Sequence, residues 1–178
     1  MHVAIYPGTF DPLTYGHLDI IERAAALFER VIILVADNPL KLPTFTAAER
    51  VALIREAVRA LPQADRLTVD SFNGLTVEYA RHTGAGTMIR GLRAVTDFEW
   101  EYQLALINQQ LAPEIETVCL MTAKEHSFLS ASMVREIAQY GGALATLVPP
   151  HVEVALRRVY GPAAATVPAL PAAAPGRG

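Results

Sequence analysis

The chain has 178 residues, 52% of them hydrophobic, and its mean hydropathy is +0.25. That is one domain's worth of chain, able to bury roughly 70% of the surface its unfolded form exposes without disulfides or metals to hold it. Lys and Arg number 15 against 18 Asp and Glu, a net charge of -3; no overall charge draws the protein to a nucleic-acid backbone or an anionic membrane, so any anion it binds is held locally.

The single cysteine, Cys119, excludes an internal disulfide and a thiolate-rich metal site and fits a reducing compartment. The longest aliphatic run, Val31–Ala36, is far too short to span a bilayer, and the first residues lack a basic leader. A cytoplasmic protein with neither a membrane nor a nucleic-acid partner is expected.

In chain order, short runs rich in β-branched residues alternate with amphipathic stretches. The runs predict strands over His2–Tyr6, Val31–Ala36, Leu67–Asp70, Thr87–Ile89 and Thr117–Met121. The stretches predict helices over Leu18–Phe28, Ala47–Ala60, Leu75–His82, Asp97–Leu111, Met133–Tyr140 and Pro150–Tyr160. Thr46-Ala47-Ala48-Glu49 and Thr96-Asp97-Phe98-Glu99 both match the capping box, in which a hydroxyl and a carboxylate satisfy orphan amides reciprocally, and Gly141-Gly142 supplies a helix stop. This order predicts an α/β fold with a doubly wound, five-stranded parallel sheet, whose ligands bind beyond the carboxyl ends of the strands. From Pro162 to Gly178 the chain is mostly Ala and Pro, with apolar groups too small to repay ordering. It is expected to be a disordered tail behind a domain of residues 1–161.

The first predicted strand runs into Tyr6-Pro7-Gly8-Thr9-Phe10-Asp11-Pro12-Leu13-Thr14-Tyr15-Gly16-His17. Glycines in a strand-to-helix turn let backbone amides approach a ligand, and the helix N-terminus beyond presents free N–H groups and a positive dipole end. A histidine there can donate to phosphoryl oxygens as charge builds in a transition state. The plain alternative, Thr14 as a cap and His17 as a surface residue, is disfavoured by the whole Thr-x-Gly-His motif standing in its right context.

Only two of the 15 cationic residues are lysine. Lys41, in Asp37-Asn38-Pro39-Leu40-Lys41-Leu42-Pro43 after the second strand, is placed to follow a phosphate through a reaction, with a solvated loop lysine as the alternative. Arg90-Gly91-Leu92-Arg93 follows the fourth strand and offers two guanidinium forks suited to phosphate oxygens. Asp97, Glu99 and Glu101 read, on pattern alone, as a solvated helix face favouring the dipole. After the fifth strand, His126-Ser127-Phe128-Leu129-Ser130-Ala131-Ser132 brings hydroxyls and free amides to the opening of a helix, a second anion-binding edge, with simple capping by Ser130 or Ser132 as the alternative. The chain has no P-loop, no dinucleotide fingerprint, no nucleophile elbow and no Cys/His cluster of metal spacing, so no covalent nucleophile is evident.

Together these segments resemble the bacterial phosphopantetheine adenylyltransferase family, within the nucleotidyltransferases that share a Thr/His-x-Gly-His signature. The likeness runs from Ala4 to about Tyr160. It rests on Tyr6-Pro7-Gly8-Thr9-Phe10-Asp11-Pro12, Thr14-x-Gly16-His17, Asn38-Pro39-x-Lys41, Phe45-Thr46-x-x-Glu49-Arg50, Ile89-Arg90-Gly91-Leu92-Arg93-Ala94, Asp97-Phe98-Glu99 and Ser127-Phe128-Leu129-Ser130-x-Ser132. The chain departs from the family's pattern at Tyr15, Thr76, His126 and Ala131.

The resemblance implies a Rossmann-like nucleotidyltransferase fold, and adenylyl transfer from ATP to 4'-phosphopantetheine with release of pyrophosphate. It further implies Mg2+ carried mainly on ATP, and a homohexamer. Position by position it implies His17, Lys41 and Arg90 as catalytic. Thr9, Phe10, His17, Gly91, Leu92, Arg93, Glu101, His126, Ser127, Phe128, Leu129, Ser130, Ala131 and Ser132 would meet ATP; Thr9, Lys41, Thr76 and Arg90 would meet 4'-phosphopantetheine. The same loop occurs in nicotinamide-mononucleotide adenylyltransferases and glycerol-phosphate cytidylyltransferases. Those are the neighbouring alternatives, and a nucleotide-binding module without turnover is a third. Arg90 to Ala94 and Lys41 favour the first reading.

Overall fold

A computed structural model describes residues 2–37 and 42–161; Lys41 and the Ala/Pro segment from residue 162 lie outside the described residues. The chain forms β1 (Val3–Gly8), α1 (Tyr15–Leu27), β2 (Arg30–Ala36), α2 (Ala47–Val58), β3 (Leu67–Phe72), α3 (Thr76–Thr83), β4 (Thr87–Leu92), α4 (Val95–Leu111), β5 (Glu116–Met121), α5 (Ala131–Gln139) and α6 (Pro150–Tyr160). Every strand pairing is parallel and the order is β3-β2-β1-β4-β5. The chain winds outward from β1 to β3, then returns to lay β4 and β5 on the other side, the doubly wound sheet that the alternation predicts.

Alternating strand residues feed two apolar layers. Tyr6, Val31, Ile33, Val35, Val69 and Ile89 pack with Ile20, Ile21, Ile54, Val134 and Leu156 from α1, α2, α5 and α6. Ile5, Ile32, Leu34 and Met88 pack on the opposite face with Val77 and Ala80 of α3 and with Ala112 after α4. Each fully buried Ile or Leu contributes about 1.5–3 kcal/mol, so these layers outweigh any single cap, worth about 1 kcal/mol.

Most elements shift by one to three residues at an end, α1 to Tyr15–Leu27 and α5 to Ala131–Gln139 among them, and three changes bear on the site. β1 reaches Gly8 instead of Tyr6 and β4 reaches Leu92 instead of Ile89, so Arg90 and Gly91 are strand residues and not part of the loop that follows. Proline, arginine and glycine interrupt the apolar pattern there without ending the strand. The Thr46–Glu49 capping box forms, with Glu49 N–H donating to Thr46 Oγ1 at 3.2 Å and Thr46 N–H to Glu49 Oε2 at 2.9 Å. The box expected at Thr96 does not: α4 begins at Val95 after Ala94, and Asp97 accepts from Arg93 N–H at 3.1 Å instead. Arg93 captures that carboxylate, and the helix starts two residues earlier than expected.

The sheet opens where the site lies. β1 pairs with β2 along its whole length, from Val3↔Arg30 to Gly8↔Val35, but with β4 only at Ala4↔Thr87 and Ile5↔Met88. Beyond that the two central strands part, and the crevice expected at a reversal of strand order forms between their carboxyl ends. α4 runs along the far side of that crevice. Its inward positions are Asp97, Glu101, Leu104, Ala105 and Asn108, whereas Phe98, Trp100, Tyr102, Leu106 and Ile107 are exposed.

Candidate active site

The cleft between β1 and β4 has a volume of about 600 Å³. Its floor begins at Gly8, where a Cβ would stand 2.8 Å from the ring of Phe10, so only glycine lets that ring lie over the strand. Phe10 itself has φ +49, a left-handed conformation that costs a non-glycine residue about 1–2 kcal/mol. Its neighbours are pinned on both sides. Thr9 O accepts from Arg50 NH1 at 2.8 Å, Asp11 O accepts from Arg135, and the Asp11 carboxylate accepts Thr44 N–H at 2.8 Å and Phe45 N–H at 3.0 Å. The buried Phe10 ring then stands edge-to-face on Tyr6, at 5.4 Å, and on His17, at 5.1 Å.

His17 is the third residue of α1. Thr14 caps that helix, its Oγ1 accepting from His17 N–H at 3.3 Å, and Thr14 N–H donates back to Nδ1 of His17 at 3.1 Å. It is a capping box with histidine in the usual glutamate's place. Because Nδ1 accepts, the ring proton sits on Nε2, which has no partner among the described residues and is left to donate. Burial, with a smaller push from the charge of Arg93, lowers the His17 pKa from 6.5 to about 4. The ring is a neutral donor at pH 7. Capping and function, posed as alternatives for Thr14 and His17, coincide.

Arg90 reaches across the opening between the strands. NH1 donates to Pro7 O at 3.0 Å, where the ladder has stopped, and Nε and NH2 donate to Glu101 at 2.6 and 2.8 Å. Arg93 holds Asp97 through Nε and NH2, both at 3.0 Å, and Leu129 O through NH1 at 3.0 Å. Arg135 lies 3.7 Å from Asp11 Oδ2. Among the described residues, each of these three arginines therefore faces a carboxylate. The cleft offers oriented donors and not the simple excess of positive charge that the loop cations suggest. Asp97 and Glu101 are correspondingly not the solvated face that their spacing predicts; Glu99 is exposed.

On the far wall, Ser130 caps α5 by accepting Met133 N–H at 3.2 Å and lies 3.2 Å from the hydroxyl of Ser132. Asp19 of α1 accepts Ala123 N–H at 2.9 Å and holds the preceding loop in place. Of the residues singled out from sequence, Thr9, Phe10, His17, Arg90, Gly91, Arg93, Glu101, Leu129, Ser130, Ala131 and Ser132 line the cleft. The others do not. Leu92 is buried, the ring of His126 stacks on Tyr15 at 6.2 Å, Ser127 donates to Lys124 O, Phe128 is exposed, and Thr76 opens α3 on the same sheet edge. Lys41 lies outside the described residues.

Sequence reasoning missed Arg50 as a support of the site. It is 1% exposed, and besides Thr9 O it reaches Phe45 O at 3.0 Å, Ala36 O at 3.2 Å and Asp37 at 3.1 Å. The signal was present: Arg50, Ile54 and Val58 fall one helical turn apart on the face that points to the core.

A family model described as cytidylyltransferase-like matches residues 5–137. The chain is 52% identical over 160 residues to a phosphopantetheine adenylyltransferase of Carboxydothermus hydrogenoformans, covering 90% of this chain and 97% of that protein. It is 56% identical over 155 residues to one from Gloeobacter violaceus, covering 87% and 94%. Among solved structures, nicotinic acid mononucleotide adenylyltransferase of Plasmodium falciparum complexed with NaAD superposes with a TM-score of 0.63, covering 89% of this chain and 95% of that one at 12% identity, a likeness of fold.

The depressed pKa of His17 couples its protonation to stability. The unfolded ring takes up a proton near pH 6.5 and the folded one only near pH 4, so stability held by the neutral ring is whole above pH 6.5 and is lost as the pH falls from 6.5 to 4. Denaturant titrations across that window should show the decline, and a His17→Gln variant should show less of it. An equal decline in the variant would mean that the folded ring titrates normally.

Proposed function

This chain belongs to the phosphopantetheine adenylyltransferase family and transfers an adenylyl group in coenzyme A biosynthesis; we propose that the cleft between β1 and β4 joins ATP and 4'-phosphopantetheine into dephospho-coenzyme A and pyrophosphate by direct in-line attack. The observation that carries this reading is the neutral Nε2 donor of His17, fixed by Thr14 at a helix N-terminus and flanked by arginines already held in orientation. No cysteine lines the cleft, and the serines there pair with each other or with backbone and not with a base. A covalent enzyme intermediate has no candidate nucleophile among them.

The chemistry needs little beyond positioning and charge. The attacking phosphate oxygen belongs to 4'-phosphopantetheine, and the target is the α-phosphorus of ATP. Two unit negative charges 4 Å apart repel by about 4 kcal/mol at an effective dielectric of 20, and the guanidinium of Arg90, with Lys41, offsets that as the two substrates approach. Nε2–H of His17 donates to an α-phosphoryl oxygen as charge gathers in the five-coordinate transition state, with Thr9 beside it. A ring already neutral gives up no proton in doing so.

Phe10, Gly91, Leu92, Arg93 and the stretch from His126 to Ser132 serve the nucleotide; Thr9, Lys41, Thr76 and Arg90 serve 4'-phosphopantetheine. Gly16 supports the nucleotide side. A Cβ there would stand 3.6 Å from His126 O and from Thr14 Oγ1, ordinary contact, so packing against the described residues does not demand a glycine at this point of the cleft.

Magnesium enters, on this reading, on the phosphate oxygens of ATP. Among the described residues no three His, Cys, Asp or Glu side chains converge on one point, and Asp11 and Glu101 in the cleft are held by amides and arginines. The assembly is a homohexamer in the cytoplasm. The exposed Phe98, Tyr102 and Leu106, one turn apart on α4, form an apolar stripe of the kind that copies of one chain cover.

Pyrophosphate release from ATP should require 4'-phosphopantetheine, with nicotinamide mononucleotide and glycerol phosphate inactive as acceptors; turnover with a rival alone would sink the assignment. His17→Ala should lower turnover by on the order of 10²–10³ in a folded protein, the usual cost of one transition-state donor, and a folded variant with normal turnover would remove His17 from the mechanism. Light scattering should give about six times the 19.3 kDa chain mass, and a monomer would overturn the assembly.

A further inference from the structure

A buried tyrosine hydroxyl ordinarily has a hydrogen-bond partner, because a polar group left unpaired in a dry site is costly. Tyr6 is 6% exposed, yet its Oη has no hydrogen-bond partner among the described residues. Other hydroxyls of the cleft are engaged: Thr14 Oγ1 accepts from His17 N–H at 3.3 Å, and those of Ser130 and Ser132 lie 3.2 Å apart. Tyr6 is the first residue of β1 beyond the two that pair with β4, so it stands where the sheet opens, and its side chain lines the cleft. We propose that the Tyr6 hydroxyl is a further contact to the nucleotide, a donor on the floor of the cleft whose missing partner is an acceptor on ATP. The inference rests on the reading of this cleft as an ATP site.

The ring is held in place and its tip is left uncovered. Tyr6 stands edge-to-face on Phe10 at 5.4 Å, and Phe10 in turn on His17 at 5.1 Å. Above it, a Cβ on Gly91 would stand 3.5 Å from Tyr6 Oη and 3.3 Å from Ile20 Cγ1. The glycine therefore leaves open the approach to the hydroxyl that a side chain would cover. These neighbours decide which substrate the hydroxyl meets. Tyr6 packs with Phe10, Ile20 and Ile89 in one apolar layer, whereas Met88 packs in the other with Val77 and Ala80 of α3. Strand residues alternate between faces, so Gly91 falls on the side of Tyr6, and Arg90 on the side of α3 and Thr76. The hydroxyl thus lies with the positions assigned to the nucleotide and away from those assigned to 4'-phosphopantetheine. Burial raises the Tyr6 phenol far above its ordinary pKa and the charge of Arg90 offsets this only in part, so the group is a neutral hydroxyl able to donate. The phosphoryl oxygens, ribose oxygens and ring nitrogens of ATP are all acceptors. A pocket that pairs such a group discriminates strongly against its loss, because the partner is then sealed without a hydrogen bond.

The test compares the full-length chain with Tyr6→Phe, which removes the hydroxyl and keeps the ring against Phe10. ATP is titrated into each by calorimetry, and KM is measured for ATP and for 4'-phosphopantetheine. Tyr6→Phe is expected to raise both Kd and KM for ATP five- to tenfold, with KM for 4'-phosphopantetheine within twofold of the parent. Its Tm without ligand is expected to match or exceed that of the parent, since an unpaired buried hydroxyl has gone. A residue that only braces the fold would instead lower Tm and weaken both substrates together, and that result overturns the inference. So does an unchanged Kd for ATP, or a rise confined to KM for 4'-phosphopantetheine. Failure of the parent chain itself to bind ATP overturns the reading of the cleft beneath it.

Discussion

Everything at the site depends on two central strands that stop pairing too soon. β1 and β4 share only two register pairs before they separate, although both continue for several residues. Main-chain groups left without a ladder must find other partners, and Pro7 has no N–H to offer the neighbouring strand. Its carbonyl is taken instead by the side chain of Arg90. One guanidinium therefore closes the gap in the sheet and at the same time stands at the rim of the cleft that the gap creates. The fold's unfinished backbone bonding and the site's donor are the same atoms.

The turn after β1 follows a similar logic. Phe10 is held left-handed, with Thr9 O and Asp11 O each accepting from a different arginine and the Asp11 carboxylate tied to two amides beyond the Lys41 loop. The return on that strain is the Phe10 ring over Gly8 and against His17, which keeps the imidazole dry and neutral. Arg50 does this from a fully buried position at the start of α2. Removing one partner from such a buried network leaves an uncompensated charge, which typically costs about 3–5 kcal/mol, so the geometry around His17 is backed by contacts well away from it.

Much of this was legible before any coordinates. The apolar runs located all five strands, and Thr-x-Gly-His after the Gly-Thr-Phe-x-Pro turn pointed to the helix start that holds the cleft's free imidazole donor. Strand ends were not legible at β1 and β4, because Pro7, Gly8, Arg90 and Gly91 look like loop residues and only the register with β2 and β5 shows that they continue a strand. Charged side chains were harder still. Arg50 reads as surface until its helical phase is followed, and Asp97 and Glu101 read as a solvated face because local spacing does not show which side of α4 meets the sheet. The pairing of Arg135 with Asp11 is a long-range fact, that of Arg90 with Glu101 depends on how α4 folds back on β4, and only Arg93 with Asp97 lies within one helical turn of sequence.

α4 shows why phase matters more than composition. An ordinary surface helix hides its apolar stripe and shows its charges. Here Asp97, Glu101 and Asn108 share the inward side with Leu104 and Ala105, while Phe98, Tyr102 and Leu106 are exposed one turn apart along a flank, beside the exposed Glu99 and Gln103. The helix has little apolar area to fasten it to its own sheet over its first turns; the ion pairs with Arg93 and Arg90 do that work. In this chain the exposed apolar flank and the carboxylates that pair with the cleft's arginines are therefore carried by one element.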